Sequence, residues 1–285
     1  MNASGILGNT PAGIRRLGLM GFSGIVTKTI TPNPREGFPP PIVVELPTGG
    51  FINAVGLANP GKSAVKQLVK SGKELGIPIM VSIGGRDTED FIEVAIEAED
   101  AGASGVELNL SCPHTEGYGN ELGADPRKVY EVVKEVTSSI RIPVIAKLGV
   151  SDSVLGSSGK ALEAGAHALA VINTIKAILI DIYTLKPVLS AKYGGMSGPP
   201  IHPIAVRVVY DIYREYAPDI IGVGGVINWQ TAAELILAGA KALQVGTGAI
   251  INSEIVKEVT VGLKKWLREI GFSNIMEVVG MAHKA

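Results

Sequence analysis

Short apolar runs alternate with amphipathic stretches along almost the whole chain. Residues 24–27, 78–83, 105–109, 143–147, 168–172, 220–223 and 242–245 are apolar at most positions. Such runs read as strands buried on both faces, the pattern of a parallel sheet. Between them, residues 63–75, 89–101, 126–136, 154–164, 204–216, 229–238 and 255–270 read as helices. In 89–101, acidic residues stand between Phe91, Ile92, Ala95 and Ile96, and Gly102 follows the end. Gly76 stops the first of these helices, and Asp125 ahead of Pro126 is a candidate N-cap.

Strand–helix alternation throughout predicts an α/β fold. A doubly wound open sheet and a (β/α)8 TIM barrel both satisfy it, and three features favour the barrel. With a first strand at the N-terminus, the strand count is about eight. The phrase Ala-Gly-Ala recurs ahead of strands at 101–103, 164–166 and 238–240. Polar residues recur at strand C-termini (Lys28, Asn109, Lys147 and Asn173), and a barrel brings those ends to one mouth. Two segments break the rhythm. The proline-rich stretch 31–51, after the second strand, predicts an excursion with a hairpin around 42–46. Residues 174–200, after the sixth strand, form an insertion of the kind that walls a site.

Bulk properties then narrow the function. The 285 residues suit one barrel domain spanning 1–285, since barrels typically take about 250. Hydrophobic residues make up 46% and the formal net charge is −1, without a basic cluster, which argues against a nucleic-acid surface. No apolar stretch reaches the roughly 18 residues that read as a membrane span, and the first residues lack a signal-peptide pattern. The single cysteine fits a reducing cytosol and leaves none for an internal disulfide or an iron–sulfur cluster. Gly222-Val223-Gly224 and Gly246-Thr247-Gly248 both lack the third glycine of a dinucleotide fingerprint. The 36 glycines cluster where apolar runs stop, at Gly49-Gly50, Gly84-Gly85, Gly194-Gly195, Gly224-Gly225 and Gly246 with Gly248. One such pair is ordinary loop punctuation; recurrence at strand ends points to a ligand.

The candidate chemistry centres on Glu107-Leu108-Asn109-Leu110-Ser111-Cys112-Pro113-His114. A strand runs there into a turn carrying an amide, a hydroxyl, a thiol and an imidazole. A lone cysteine is usually an inert buried residue, but this polar strand-end setting favours a reactive role. Lys147 ends an apolar strand, where a charge is costly unless paired. Lys28 ends another, flanked by Thr27 and Thr29. Asn53, Asn109 and Asn173 each offer donors and an acceptor, suited to a polar ring. Gly224-Gly225 and Gly246-Thr247 follow the seventh and eighth strands, the usual phosphate site of a barrel.

At these residues the chain resembles the dihydroorotate dehydrogenases, specifically the soluble class 1 branch. The landmarks run in order: Asn2-Ala3-Ser4-Gly5, Val26-Thr27-Lys28-Thr29, Ile52-Asn53-Ala54-Val55-Gly56-Leu57, Asn109-Leu110-Ser111-Cys112-Pro113, Ile145-Ala146-Lys147-Leu148, Ile172-Asn173-Thr174, Gly194-Gly195-Met196-Ser197-Gly198, Gly222-Val223-Gly224-Gly225-Val226 and Gln244-Val245-Gly246-Thr247-Gly248. The resemblance implies an FMN barrel that oxidises (S)-dihydroorotate to orotate in pyrimidine synthesis. It implies Cys112 as the base that removes the C5 proton while the C6 hydride goes to the flavin. It places Ala3, Ser4, Gly5, Lys28, Thr29, Asn109, Lys147, Ile172, Gly198, Gly224, Gly225, Gly246 and Thr247 at the cofactor. It places Lys28, Asn53, Val55, Gly56, Leu57, Asn109, His114, Asn173 and Thr174 at the substrate. No metal is implied, and a homodimeric core is.

Two departures stand beside the match. His114 stands where many members carry Asn. The first landmark begins almost at Met1, where members usually have a small hairpin ahead of it. With one thiol and no dinucleotide fingerprint, electrons must leave by another molecule. That is either a soluble acceptor such as fumarate or a partner subunit carrying FAD and an iron–sulfur centre, the form towards which the motifs lean. Rival readings are a barrel acting on another dihydropyrimidine, a flavin-free phosphate-binding lyase or isomerase, and a scaffold without activity.

Overall fold

The structure, a computed structural model, describes residues 1–5, 7–111 and 120–284. Its strands in chain order are β1 (Ile25–Val26), β2 (Val43–Glu45), β3 (Phe51–Asn53), β4 (Ile79–Ile83), β5 (Gly105–Asn109), β6 (Val144–Leu148), β7 (Ala168–Val171), β8 (Ile175–Ile178), β9 (Ile180–Asp181), β10 (Lys186–Pro187), β11 (Tyr193–Ser197), β12 (Ile220–Val223) and β13 (Ala242–Gln244). Seven of them form one curled parallel sheet in the order β1-β4-β5-β6-β7-β12-β13. The order follows the chain, as in a barrel, rather than reversing at a switch point as in a doubly wound sheet.

The eighth position belongs to residues 1–3. The Met1 amine donates to Leu243 O at 3.0 Å, Val245 N donates to Met1 O at 3.0 Å, and Ala3 N donates to Val245 O at 2.9 Å. On the other side the side chain of Asn2 takes over. Its Oδ1 accepts from Val26 N at 2.9 Å and its Nδ2 donates to Val26 O at 2.8 Å. A carboxamide presents one acceptor beside a donor, as a peptide group does, so it can satisfy a strand edge. Asn2 thereby joins the last strand to the first and gives the sheet its TIM-barrel-like closure.

Side chains alternate across this sheet. Val106, Leu108, Val144, Ala146, Leu148, Leu169 and Val171 face outwards and join the main core. The helices that cover them are Val65–Glu74, Thr88–Asp100, Pro126–Ser139, Val154–Glu163, His202–Tyr216, Trp229–Ala238 and Ile255–Glu269, within a few residues of the boundaries read from the sequence. The Asp125 side chain accepts from Arg127 N at 2.9 Å, the cap expected ahead of Pro126. The helix Pro11–Leu19 was not among the expectations. It buries only Ile14 and Leu17 and follows a glycine-rich stretch, so its apolar signal is thin. Ile145, Ala170, Ile221 and Val223 point the other way and pack with Met1, Ala3, Met80, Ala168 and Ala242 inside the curl.

The excursion and the insertion turn out to be one structure. The predicted hairpin forms as β2 against β3, with Val44 opposite Ile52. β11 from the insertion then pairs antiparallel with β3, Met196 opposite Ile52, and β8 completes a four-stranded sheet. Ile52, Ala54 and Leu189 are buried in its small core with Phe38 and Val44 at the margin. This sheet stands against the C-terminal ends of the barrel strands and carries Asn53 to the site.

Candidate active site

A cavity opens at the C-terminal mouth of the barrel, where the strand ends, residues 2–5 and the four-stranded sheet meet. It encloses about 1180 Å³ of empty space with its open mouth included.

Lys147 forms part of the floor. It lies near the end of β6 and is 2% exposed. Its Nζ stands 3.0 Å from Ser4 Oγ, 3.2 Å from Gln244 Oε1 and 3.3 Å from Glu107 Oε1. An ammonium has three protons, and three acceptors surround it here. Glu107, in the middle of β5, is fully buried. Gln244, at the end of β13, also donates from Nε2 to Glu107 Oε2 at 2.5 Å. The buried charge that looked costly in the sequence is therefore paired inside the barrel.

The next wall is a chain of amides and hydroxyls. Thr29 Oγ1 lies 3.1 Å from Ser82 Oγ and accepts from Asn109 Nδ2 at 3.1 Å. Asn173 Nδ2 approaches Asn109 Oδ1 at 3.0 Å, Ser111 Oγ at 3.1 Å and Ser111 O at 3.2 Å. Asn173 Oδ1 accepts from Thr174 N at 2.8 Å. The network binds the ends of β1, β4, β5 and β7 into one polar rim. Across from it, Asn53 Nδ2 donates to Gly195 O at 3.1 Å. Lys28, almost completely buried, lines the same cavity.

Glycines build the far end. Gly225 has φ +67°, and a Cβ there would come within 2.5 Å of His202 Cβ and 2.9 Å of Gly198 O. Gly198 has φ +91°, and a Cβ would sit 2.8 Å from Gly50 Cα. Both positions need left-handed backbone and space that only glycine leaves. Thr247 opens the short helix Thr247–Ile251, and its Oγ1 donates to Ser197 Oγ at 2.8 Å. Backbone at a helix start beside open glycine turns is a cradle for an anion. His202 braces it from behind, with Nδ1 2.8 Å from Gly224 O and Nε2 2.8 Å from Glu234 Oε2.

The cavity wall brings together Ala3, Ser4, Gly5, Lys28, Thr29, Asn53, Val55, Leu57, Asn109, Lys147, Ile172, Asn173, Thr174, Gly198, Gly224, Gly225, Gly246 and Thr247. Gly56 sits between two of these, with φ +72° and its backbone against Phe38, and is not itself on the wall. Cys112 and His114 lie outside the described residues. Sequence reasoning missed Asn2 and Ser197 on the wall, and the supporting Glu107, Gln244 and His202. For Glu107 a signal existed: an acidic residue inside an apolar strand needs a partner. Among the described residues, no group of acidic, histidine or cysteine side chains is placed to hold a metal, and no helix is long and apolar enough to cross a membrane.

Comparison with known proteins adds the ancestry. The family model described as dihydroorotate dehydrogenase matches residues 1–267. A protein of Aeropyrum pernix named putative dihydroorotate dehydrogenase A (fumarate) is 48% identical over 286 residues, covering 100% of this chain and 93% of its own. The protein of Pyrococcus furiosus named dihydroorotate dehydrogenase B (NAD(+)), catalytic subunit, is 46% identical over 285 residues, covering 99% and 94%. A Thermoplasma volcanium protein with that second name is 41% identical over 285 residues, covering 100% and 94%. With a full-length match of this kind around a barrel mouth of lysines, amides and glycines, the chain belongs to the dihydroorotate dehydrogenase family.

Proposed function

We propose that the chain oxidises dihydroorotate to orotate, with FMN as its resident redox group. The observation that carries this reading is the meeting of Lys28, Lys147, Asn53, Asn109 and Asn173 with a glycine cradle in one cavity. The donor set suits FMN. Gly224, Gly225, Gly246 and Thr247 would hold the phosphate at the cradle, whose turn at Gly225 leaves no room for a Cβ against His202 behind it. Ala3, Ser4 and Gly5 would meet the ring system, and Lys147 would stabilise negative charge on it. The chemistry that FMN supplies when bound is acceptance of a hydride, which no side chain can do.

The remaining steps belong to the chain. Lys28 would bind the substrate carboxylate, and Asn53, Asn109, Asn173 and Thr174 would hold the pyrimidine dione through complementary donors and acceptors. Asn109 and Asn173 are already oriented by each other and by Thr29 and Ser111, so little ordering is left to do on binding. Cys112 would take the proton from C5 as a thiolate and become the thiol, while C6 loses its hydride and the C5–C6 bond becomes double. It directly follows Ser111, which is buried against Lys147 O and Asn173.

Electrons would leave through a partner subunit carrying FAD and an iron–sulfur centre. Support comes from the relatives named NAD(+)-linked catalytic subunits. A homodimeric core in the cytoplasm belongs to the same reading. The deciding experiment is a visible spectrum of the purified protein supplied with FMN. Bound flavin that bleaches anaerobically with dihydroorotate is the expected result. Bleaching with dihydrouracil in preference would move the reading to another dihydropyrimidine. A protein that takes up no FMN would move it to a flavin-free barrel.

A further inference from the structure

The inside of a barrel is normally filled by branched apolar side chains in layers. This one follows that rule around Ile145, Ala170 and Ile221, and departs from it directly beneath the cavity. There Glu107 and Lys147 are buried as an ion pair, with side chains 0% and 3% exposed and an Oε1–Nζ separation of 3.3 Å. Gln244 bridges both partners, accepting from Lys147 and donating to Glu107. Only Lys147 of the charged pair reaches the cavity wall; Glu107 lies behind it.

An apolar layer would fill that volume without the cost of desolvating two charges. A lone lysine would present a full positive charge to the cavity floor. The pair presents instead a cation whose field is largely cancelled by an anion one contact behind it, in surroundings where fields are poorly screened. We infer that Glu107 is a positioning residue that acts through Lys147: it holds the ammonium against Ser4 at the cavity floor and sets how much positive potential a redox group bound there feels. Gln244 keeps the two carboxylate oxygens from turning away, since its amide has one end on each partner. This inference rests on the FMN reading above.

The test is the two-electron midpoint potential of bound FMN in the wild-type protein, Glu107→Gln, Lys147→Gln and the double variant. Removing the carboxylate charge leaves Lys147 unopposed and favours the more negative, reduced flavin. Glu107→Gln is expected to strengthen binding of reduced over oxidised FMN at least tenfold, which is a rise of about 30 mV for a two-electron couple. Lys147→Gln should move the potential the other way. The double variant buries no net charge and should return to the wild-type value, a cancellation that a purely structural Glu107 would not produce. If either single variant fails to fold, the double variant still decides. A potential equal to wild type supports the inference. A potential lowered by the loss of Lys147, as though Glu107 had never counted, overturns it. An unchanged potential in Glu107→Gln overturns it as well. A wild-type protein that binds no FMN at all overturns the reading of the site and this inference together.

Discussion

The amide of Asn173 donates to the side-chain carbonyl of Asn109 at 3.0 Å, reaching over β6 to tie the ends of β7 and β5 together. Asn109 passes the connection on to Thr29, and Thr29 to Ser82. Each member orients the next, so the rim is a cooperative network rather than a set of independent contacts.

Asn109→Ala should therefore cost both stability and activity. The substitution removes the bonds from Asn109 to Thr29 and from Asn173 to Asn109, while Thr29 keeps Ser82 and Asn173 keeps Ser111, so each lost bond should cost about 0.5–1.5 kcal/mol. Chemical denaturation should show a midpoint drop with an unchanged slope. The turnover assay should show a larger loss in kcat/KM than the stability change alone produces. Full dihydroorotate turnover in a folded Asn109→Ala protein would remove Asn109 from the substrate site.

Ring closure through Asn2 gives a second expectation. Asn2→Ala leaves Val26 N and Val26 O without their side-chain partners at a buried strand edge. A loss of about 2 kcal/mol or more is expected, since two buried backbone groups are affected. Asn2→Asp is the informative companion. A carboxylate can accept from Val26 N, but it faces Val26 O with an acceptor. It should be no better than Ala, whereas a side chain that merely fills space would tolerate Asp less well only through its charge. Chemical denaturation of both variants checks this, and an Asn2→Asp protein as stable as the wild type would overturn the strand-edge role.

At the cradle, Gly225→Ala should weaken cofactor retention. The new Cβ meets His202 Cβ at 2.5 Å in backbone at φ +67°, so the turn must move. Left-handed backbone costs a residue with a side chain about 1–2 kcal/mol even in open space. Equilibrium binding of FMN, followed by quenching of its fluorescence, should weaken by at least tenfold. Binding as tight as in the wild-type protein would place the phosphate elsewhere.

Replacing the single thiol tests the proposed base. Cys112→Ala should keep bound FMN and lose about 10²–10⁴ in the rate of flavin reduction by dihydroorotate, the usual contribution of a positioned base. Cys112→Ser should retain a fraction of the activity, rising towards alkaline pH as the hydroxyl is driven to give up its proton. A variant that reduces its flavin at the wild-type rate would exclude Cys112 as the base.

Much of this fold is local in origin. A strand buried on both faces must be apolar along its length, and a helix on its outer face must repeat its apolar positions every three to four residues. Both patterns lie within a dozen residues of sequence, so the barrel strands and the seven covering helices could be read directly. Parallel order did the rest for the site. It puts every strand C-terminus on one side, so Lys28, Asn109, Lys147 and Asn173 had to share a mouth before any distance was known.

What only the tertiary structure decided are the pairings between segments far apart in the chain. Nothing near Asn2 announces that its side chain stands in for a strand edge against Val26. The proline-rich excursion and the insertion each carry weak strand signals, and they become one sheet only when Ile52 meets Met196. Glu107 and Gln244 are isolated polar residues in apolar strands until closure of the barrel brings them to Lys147, across separations of 40 and 97 residues. Sequence shows the need of a buried charge for a partner, because burial follows from the local pattern. The identity of the partner depends on register and closure, which are properties of the assembled sheet.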